Sequence, residues 1–288
     1  MSSIPDVPPG VIKRKVVQIR GASAEVIPDL VAMEEPLVIE LNGKTVAVMM
    51  RLPGDEKELA AGFCISEGLV PHFQDITLIH HCGQSSPMVD SEDGLEESRN
   101  LIQISAKRVN EALLREDKVM MIRSGCGRAD VRGLDELLPR CESDSKVSLE
   151  TIFSLVRKLQ GVQIVYQMTR GSHIAALFDL SGELVVFKED IGRHNAIDKV
   201  IGHCLFRGIE LSDKLLFSSG RISYEMVVKA IRSRISVVLS FCAPTSVALE
   251  LAEASGCTVI GFLRGSRAKV YTNQWRVSAG RVTIVSGE

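Results

Sequence analysis

Cys126 stands between two glycines in the run Arg123-Ser124-Gly125-Cys126-Gly127-Arg128-Ala129-Asp130, a setting that offers no adjacent side chains to cover a thiol. Glycine is used where backbone bends sharply or comes close to a ligand. Arg123 and Arg128 favour the thiolate, which is the form that attacks as a nucleophile and carries sulfur. The same run also reads as a tight turn after the apolar strand Val119-Met120-Met121-Ile122, because buried inert cysteines are the commoner kind. On these residues alone both readings stand.

A second stretch with chemical content is Lys188-Glu189-Asp190-Ile191-Gly192-Arg193-His194-Asn195-Ala196-Ile197-Asp198-Lys199. It opens a helix whose buried face is Ile197, Val200, Ile201, Cys204 and Leu205, so its polar residues are expected to have no packing role. Arg193 and His194 fall at the first turn, where free N–H groups already make the helix end positive. An anion such as a phosphate held among them would account for that placement. In the competing reading Glu189 and Asp190 neutralise Arg193 and Lys199 in a surface cluster. That leaves His194 and Asn195 without a task, and the site reading is preferred.

Gly261-Phe262-Leu263-Arg264-Gly265-Ser266-Arg267 follows a buried strand, and in open α/β sheets ligands bind beyond the carboxyl ends of strands. Its arginines and exposed backbone N–H groups suit phosphate oxygens; composition alone equally allows a solvated loop. Ser218-Ser219-Gly220-Arg221-Ile222-Ser223 precedes another helix and offers an anion its N-terminus, although hydroxyls there usually serve as caps. His80-His81-Cys82 has metal-ligand types but no fourth ligand nearby, so a structural role is preferred.

The elements that must position these residues follow from periodicity. Asn42-Gly43 between apolar runs signals a hairpin, and Asp55 is a candidate N-cap for a helix through Ile65 that Gly68 stops. Residues Met1 to Gly10 read as a loose arm. Strands are expected at 76–79 and 101–105, with a polar loop from Gly83 to Asn100. Glu142 to Ser145 reads as a hinge and Ser148 as a cap for a helix striped by Leu149, Ile152, Phe153, Val156 and Leu159. Strands then alternate with helices: strands at 162–168, 174–180, 184–187, 214–218, 235–241 and 257–263, helices at 194–206, 224–232 and 245–254. Short strands at 269–272 and 282–285 close the chain. That rhythm implies an α/β layer with a largely parallel sheet.

The 288 residues, 45% hydrophobic, suffice for one large domain or two ordinary ones. Lys and Arg (34) balance Asp and Glu (36), so no global field gathers nucleic acid or an acidic membrane surface. Seven cysteines without regular spacing argue for a reducing compartment rather than a disulfide framework. No apolar run approaches a membrane span, and a cytoplasmic location is expected.

Taken together, these segments resemble the FdhD family, the formate dehydrogenase accessory sulfurtransferases. The resemblance rests on Glu189 through Lys199 with Gly171-Ser172-His173-Ile174-Ala175-Ala176, Arg221-Ile222-Ser223-Tyr224-Glu225-Met226, Ala243-Pro244-Thr245-Ser246 and Gly261-Phe262-Leu263-Arg264-Gly265, and upstream on Glu58-Leu59-Ala60-Ala61-Gly62-Phe63 with Glu67-Gly68. It runs from about Val38 to Tyr271. It implies a homodimer with a cytidine-deaminase-like three-layer α/β core from residue 116 to 288 and an additional N-terminal α+β subdomain over 1 to 115. It also implies a sulfurtransferase that takes sulfur from a cysteine desulfurase as a persulfide. The sulfur passes to the molybdenum or tungsten bis-pyranopterin guanine dinucleotide cofactor that formate dehydrogenase then takes up. The persulfide cysteine falls on Cys126 and the cofactor-binding loop on Phe262, Leu263, Arg264, Gly265, Ser266 and Arg267, with Arg193 and His194 as further holders of phosphate and guanine and no resident metal.

One departure from the family pattern is Ala129, where many members have the second cysteine of a CxxC. Release by disulfide formation with that neighbour is therefore closed. A single thiol suffices, or Cys82 or Cys141 assists, or the chain is a cofactor-binding chaperone without transfer activity. The deaminase-like fold also raises a zinc hydrolase, but such enzymes need a PCxxC ligand pair and Pro244 is followed by Thr245-Ser246-Val247-Ala248.

Overall fold

The computed structural model describes residues 7–82, 98–114, 120–122 and 138–278. Cys126, Arg123, Arg128 and Ala129 lie outside the described residues, as does the strand expected at 282–285.

The chain begins with a two-stranded ribbon, β1 (Val11–Arg20) and β2 (Ser23–Ala32), paired antiparallel from Val11↔Ala32 to Arg20↔Ser23. It went unread in the sequence because its valines and isoleucines do not divide into a buried and a solvated face: Val17, Ile19, Val26 and Val31 are all exposed. Next come β3 (Glu35–Leu41), β4 (Lys44–Arg51), α1 (Glu56–Ser66), β5 (Ile76–His81), β6 (Leu101–Ala106) and β7 (Met120–Ile122). Asn42 and Gly43 turn the β3–β4 hairpin with φ of 50° and 79°, the left-handed pair that a two-residue hairpin loop requires. The five strands form one sheet in the order β5-β6-β3-β4-β7. Leu37, Ile39 and Leu41 alternate onto one face and meet Leu59 and Phe63 of α1. Because β7 pairs with β4, this sheet continues past residue 115, and the expected boundary falls within it.

The second half contains β8 (Val147–Ser148), α2 (Leu149–Lys158), α3 (Ile164–Thr169), β9 (His173–Phe178), β10 (Leu184–Asp190), α4 (Arg193–Arg207), β11 (Leu215–Ser218), α5 (Tyr224–Arg232), β12 (Val237–Ser240), α6 (Ser246–Ser255), β13 (Thr258–Arg264), β14 (Arg267–Val270) and β15 (Val277–Ser278). The six-stranded sheet runs β10-β9-β11-β12-β13-β14. Only β11, β12 and β13 are mutually parallel. The expectation of a largely parallel sheet is corrected to a mixed one, because β10, β9 and β14 join through turns and antiparallel pairings. Ala175 and Leu177 face α4, α5 and α6, while Ile174, Ala176 and Phe178 face Ile152, Leu155 and Leu159 of α2. This period of two covers the sheet with apolar layers on both faces.

At two places a charged partner from far along the chain changes the local structure expected from the sequence. Val162 to Met168 reads as a strand but contains α3, whose first-turn N–H groups of Val165 and Tyr166 donate to the Glu189 carboxylate at 3.0 and 2.9 Å. Asp55 does stand at the N-cap of α1, where its carbonyl accepts from Leu59 N at 2.8 Å. Its backbone is left-handed and its carboxylate makes no cap bond, accepting instead from Lys188 Nζ at 2.6 Å. Ser148 does cap α2, accepting from Thr151 N at 3.0 Å.

Candidate functional site

Most of the polar residues at the start of α4 serve as buried fasteners. Asp190 pairs with Lys199 at 2.8 Å, both essentially unexposed, and also accepts from Leu52 N, Gly192 N and Asn195 Nδ2 at 3.2, 3.0 and 2.9 Å. Asn195 Nδ2 also donates to Met50 O at 2.8 Å, and Lys199 Nζ to Leu52 O at 2.9 Å. Asp198 accepts from Ser66 Oγ at 2.6 Å and pairs with Lys229 at 2.8 Å. Lys229 also pairs with Glu67 at 2.8 Å. Buried charge is tolerable only when matched this fully. The expectation that these residues have no packing role is therefore corrected for Glu189, Asp190, Asn195, Asp198 and Lys199. Asp190, Asn195 and Lys199 fasten Met50 and Leu52 at the end of β4 to α4, Asp198 fastens Ser66 at the end of α1, and Glu189 holds α3 and Ser172; the α4 joint is interior rather than a surface cluster.

Arg193 and His194 are not used up in this way. Arg193 Nε and His194 Nε2 are buried and have no hydrogen-bond partner among the described residues, a condition that calls for an explanation. Burial, with Lys229 and Arg193 nearby, pushes the His194 imidazole down to about 4. Burial and then the Arg221 guanidinium lower Arg193 from its ordinary value. Both shifts come first from burial, with neighbouring cations adding to them and Glu225 opposing. An anion would offset those cations and supply the missing acceptor.

The spot opens onto the carboxyl ends of β11, β12 and β13. Arg193 lies across Gly220, where a Cβ would stand 2.6 Å from Arg193 Cδ; only glycine allows that approach. Ser219 Oγ accepts from Ile174 N at 3.1 Å and lies 3.1 Å from His173 Nδ1. Cys242 Sγ donates to Ser219 O at 3.3 Å. A cavity of about 410 Å³ adjoins them, lined in part by Tyr166, Arg170, His173, Ser219 and Phe241. Burial, then the Arg193 charge, lowers the His173 pKa, so this imidazole is held neutral.

The loop singled out in the sequence is the β13–β14 hairpin, fastened to the same edge by Phe262 N donating to Cys242 O at 3.2 Å. Phe262 has φ of +52°, an uncommon conformation for a bulky side chain. Its exposed ring lies 4.9 Å from Lys269 Nζ. Arg264 and Arg267 pair across the turn, and both are exposed with Gly265 and Ser266. A cavity of about 600 Å³ is bounded by Phe262, Arg264, Gly265, Arg267, Ala268 and Lys269. Leu263 differs from its neighbours: it is 0% exposed in the core below the sheet and anchors the loop. His80 lies 3.5 Å from Cys82 Sγ and His81 bonds Arg99 O at 2.7 Å, which gives both histidines structural partners.

Sequence reasoning marked His173 and Ser219 only as members of longer runs, and did not single out Tyr166, Arg170 and Cys242. Tyr166 and Arg170 lie on α3 and its C-cap, and the order of the strands brings them to His173, Ser219 and Cys242.

The model of the FdhD/NarQ family matches residues 32–278. A sulfur carrier protein FdhD of Sulfurisphaera tokodaii is 39% identical over 92% of this chain and 99% of its own. One from Streptomyces avermitilis is 37% identical over 92% and 95% respectively. The crystal structure of a candidate formate dehydrogenase accessory protein from Desulfotalea psychrophila superposes with a TM-score of 0.72 at 27% identity, covering 94% of this chain and all of that one. Over the whole span in which the two sheets, the α1–α4 joint and the arginine-bearing edge are built, the chain therefore belongs to the FdhD/NarQ family.

Proposed function

We propose that this chain is a sulfurtransferase that carries sulfur as a persulfide on Cys126. A cysteine desulfurase is the donor. The acceptor is the molybdenum or tungsten bis-pyranopterin guanine dinucleotide, bound here as a substrate before formate dehydrogenase takes it up. The names of the relatives support the carrier role. In each loading step the outer sulfur of the desulfurase persulfide bonds to the Cys126 thiolate and the desulfurase thiolate leaves. A homodimer with a cytidine-deaminase-like core is part of the same proposal, as is a cytoplasmic setting; no helix among the described residues is long and apolar enough to cross a membrane.

The observation that carries the cofactor half is the pair Arg193 and His194, whose buried Nε and Nε2 atoms lack partners among the described residues at the edge where Arg264 and Arg267 also project. A dinucleotide brings several phosphate charges, and guanidinium groups bind these by charge-assisted bonds. Ala129 favours a second reading, a chaperone that holds the cofactor without moving sulfur.

Formate dehydrogenase activity in cells that lack the chain and are supplied with variants separates the two. The proposal expects Cys126→Ala to abolish activity and Ala129→Cys to change it little. Full activity with Cys126→Ala would leave only the chaperone.

A further inference from the structure

Outside this site, Cys141 and Cys257 form a thiol pair on the opposite flank of α6. Cys141 N donates to Ser255 O at 2.8 Å, and its carbonyl lies 3.3 Å from where a Cβ on Gly256 would stand. Cys141 is thus pinned beside the turn into β13, with its side chain in reach of the Cys257 thiol; as thiols, Cys141 donates to Ile235 O at 3.8 Å and Cys257 to Thr258 O at 3.9 Å. Cys141 is partly exposed, whereas Cys257 is 0% exposed behind it.

Arg276 completes the cluster. It is 1% exposed and donates from Nη2 to Cys141 O at 3.2 Å, yet its Nε and Nη1 have no partner among the described residues. Two idle donors on a buried guanidinium are costly unless a nearby group becomes negative. The groups near it that can do so are Cys141, Cys257 and Asp144. The Cys141 thiol is lowered from its ordinary value by the hydrogen bond from Cys257, with Ser236 and Arg276 adding to the effect and burial opposing it. Cys257, beside the Cys141 sulfur and fully buried, is raised well above its ordinary value.

We propose that Cys141 and Cys257 are an oxidisable dithiol, with Cys141 the thiol that attacks a hydroperoxide, Cys257 the resolving thiol and Arg276 the counter-charge. The Cys141 thiolate attacks one peroxide oxygen, the O–O bond breaks and hydroxide leaves, giving a sulfenic acid. The Cys257 thiol then attacks that sulfur, and its proton departs with the hydroxyl as water. Two thiols lose two electrons and the peroxide becomes two waters. The resulting disulfide staples the segment before β8 to the start of β13. Trp275, the chain's single tryptophan, stacks 4.1 Å from Arg276 Cζ and reports the change.

The test is peptide mapping of the full chain after graded hydrogen peroxide and alkylation of the remaining thiols. The expected product is a linked pair of peptides carrying Cys141 and Cys257, two hydrogens lighter, formed together with a change in Trp275 fluorescence. Cys257→Ser is expected to leave a Cys141 sulfenic acid that a dimedone-type reagent captures, and Arg276→Gln to slow linkage about tenfold, the effect of about one pKa unit on the thiolate. The wild-type map decides by itself. If peroxide oxidises the partly exposed thiol of Cys82 while both cysteines remain alkylatable, or if Cys141 links to a different cysteine, the assignment is overturned.

Discussion

Gly62 of α1 and Gly202 of α4 each lie against the other helix's backbone. A Cβ on Gly62 would overlap the Asp198 carbonyl, and one on Gly202 the Glu58 carbonyl. Neither obstacle is a side chain that can swing away. Gly62→Ala and Gly202→Ala are each expected to lower stability by at least about 1 to 3 kcal/mol through overpacking, seen as a lower urea midpoint. Unchanged midpoints would mean that α1 and α4 are not in backbone contact.

The same joint depends on Lys229, which neutralises Asp198 and Glu67. Lys229→Met strands both carboxylates and is expected to cost about 3 to 5 kcal/mol. Adding Asp198→Asn should recover part of that loss in a double-mutant cycle. An additive result would rule out coupling between the pair.

His194 sets a pH dependence of stability. Its folded pKa of about 4 lies below the ordinary 6.5, so between those values the unfolded chain binds the extra proton. Stability is therefore full above about pH 6.5, declines as pH falls toward 4, and loses up to about 3 kcal/mol in all. His194→Gln should flatten that part of the profile relative to wild type, measured by thermal unfolding. A bound anionic nucleotide should raise the imidazole pKa, which proton NMR of the ring can follow.

Much of this arrangement was legible in the sequence because it is local. Asn42-Gly43 sets a hairpin, Ser148 caps the helix it precedes, and the apolar stripe of α4 extends from Arg193 to Arg207. What was not legible depends on partners far along the chain. Glu189 turns an apparent strand into α3 from 23 residues beyond Tyr166, and Lys188 engages the carboxylate of Asp55, which holds the N-cap position without a side-chain cap bond. The polar residues of α4 were read as facing a ligand because their true partners, Leu52, Met50 and Lys229, lie in other elements. That correction does not extend to Arg193 and His194, whose buried Nε and Nε2 have no partner among the described residues.

Arg193 should matter more to binding than to folding. Arg193→Gln removes a charge-assisted donor and is expected to weaken guanosine diphosphate binding roughly 10- to 100-fold, read by calorimetry, with little change in melting temperature. Equal affinities would move the phosphate site elsewhere. Arg264→Gln with Arg267→Gln tests the hairpin tip in the same way.

Intact-mass and peptide analysis after incubation with a cysteine desulfurase and cysteine tests the central claim most directly. The expected result is one added sulfur atom, located on Cys126, absent from Cys126→Ser and lost on treatment with a thiol reductant. A wild-type chain that gains no sulfur while a control acceptor is loaded, or gains it on a different cysteine, would contradict the account.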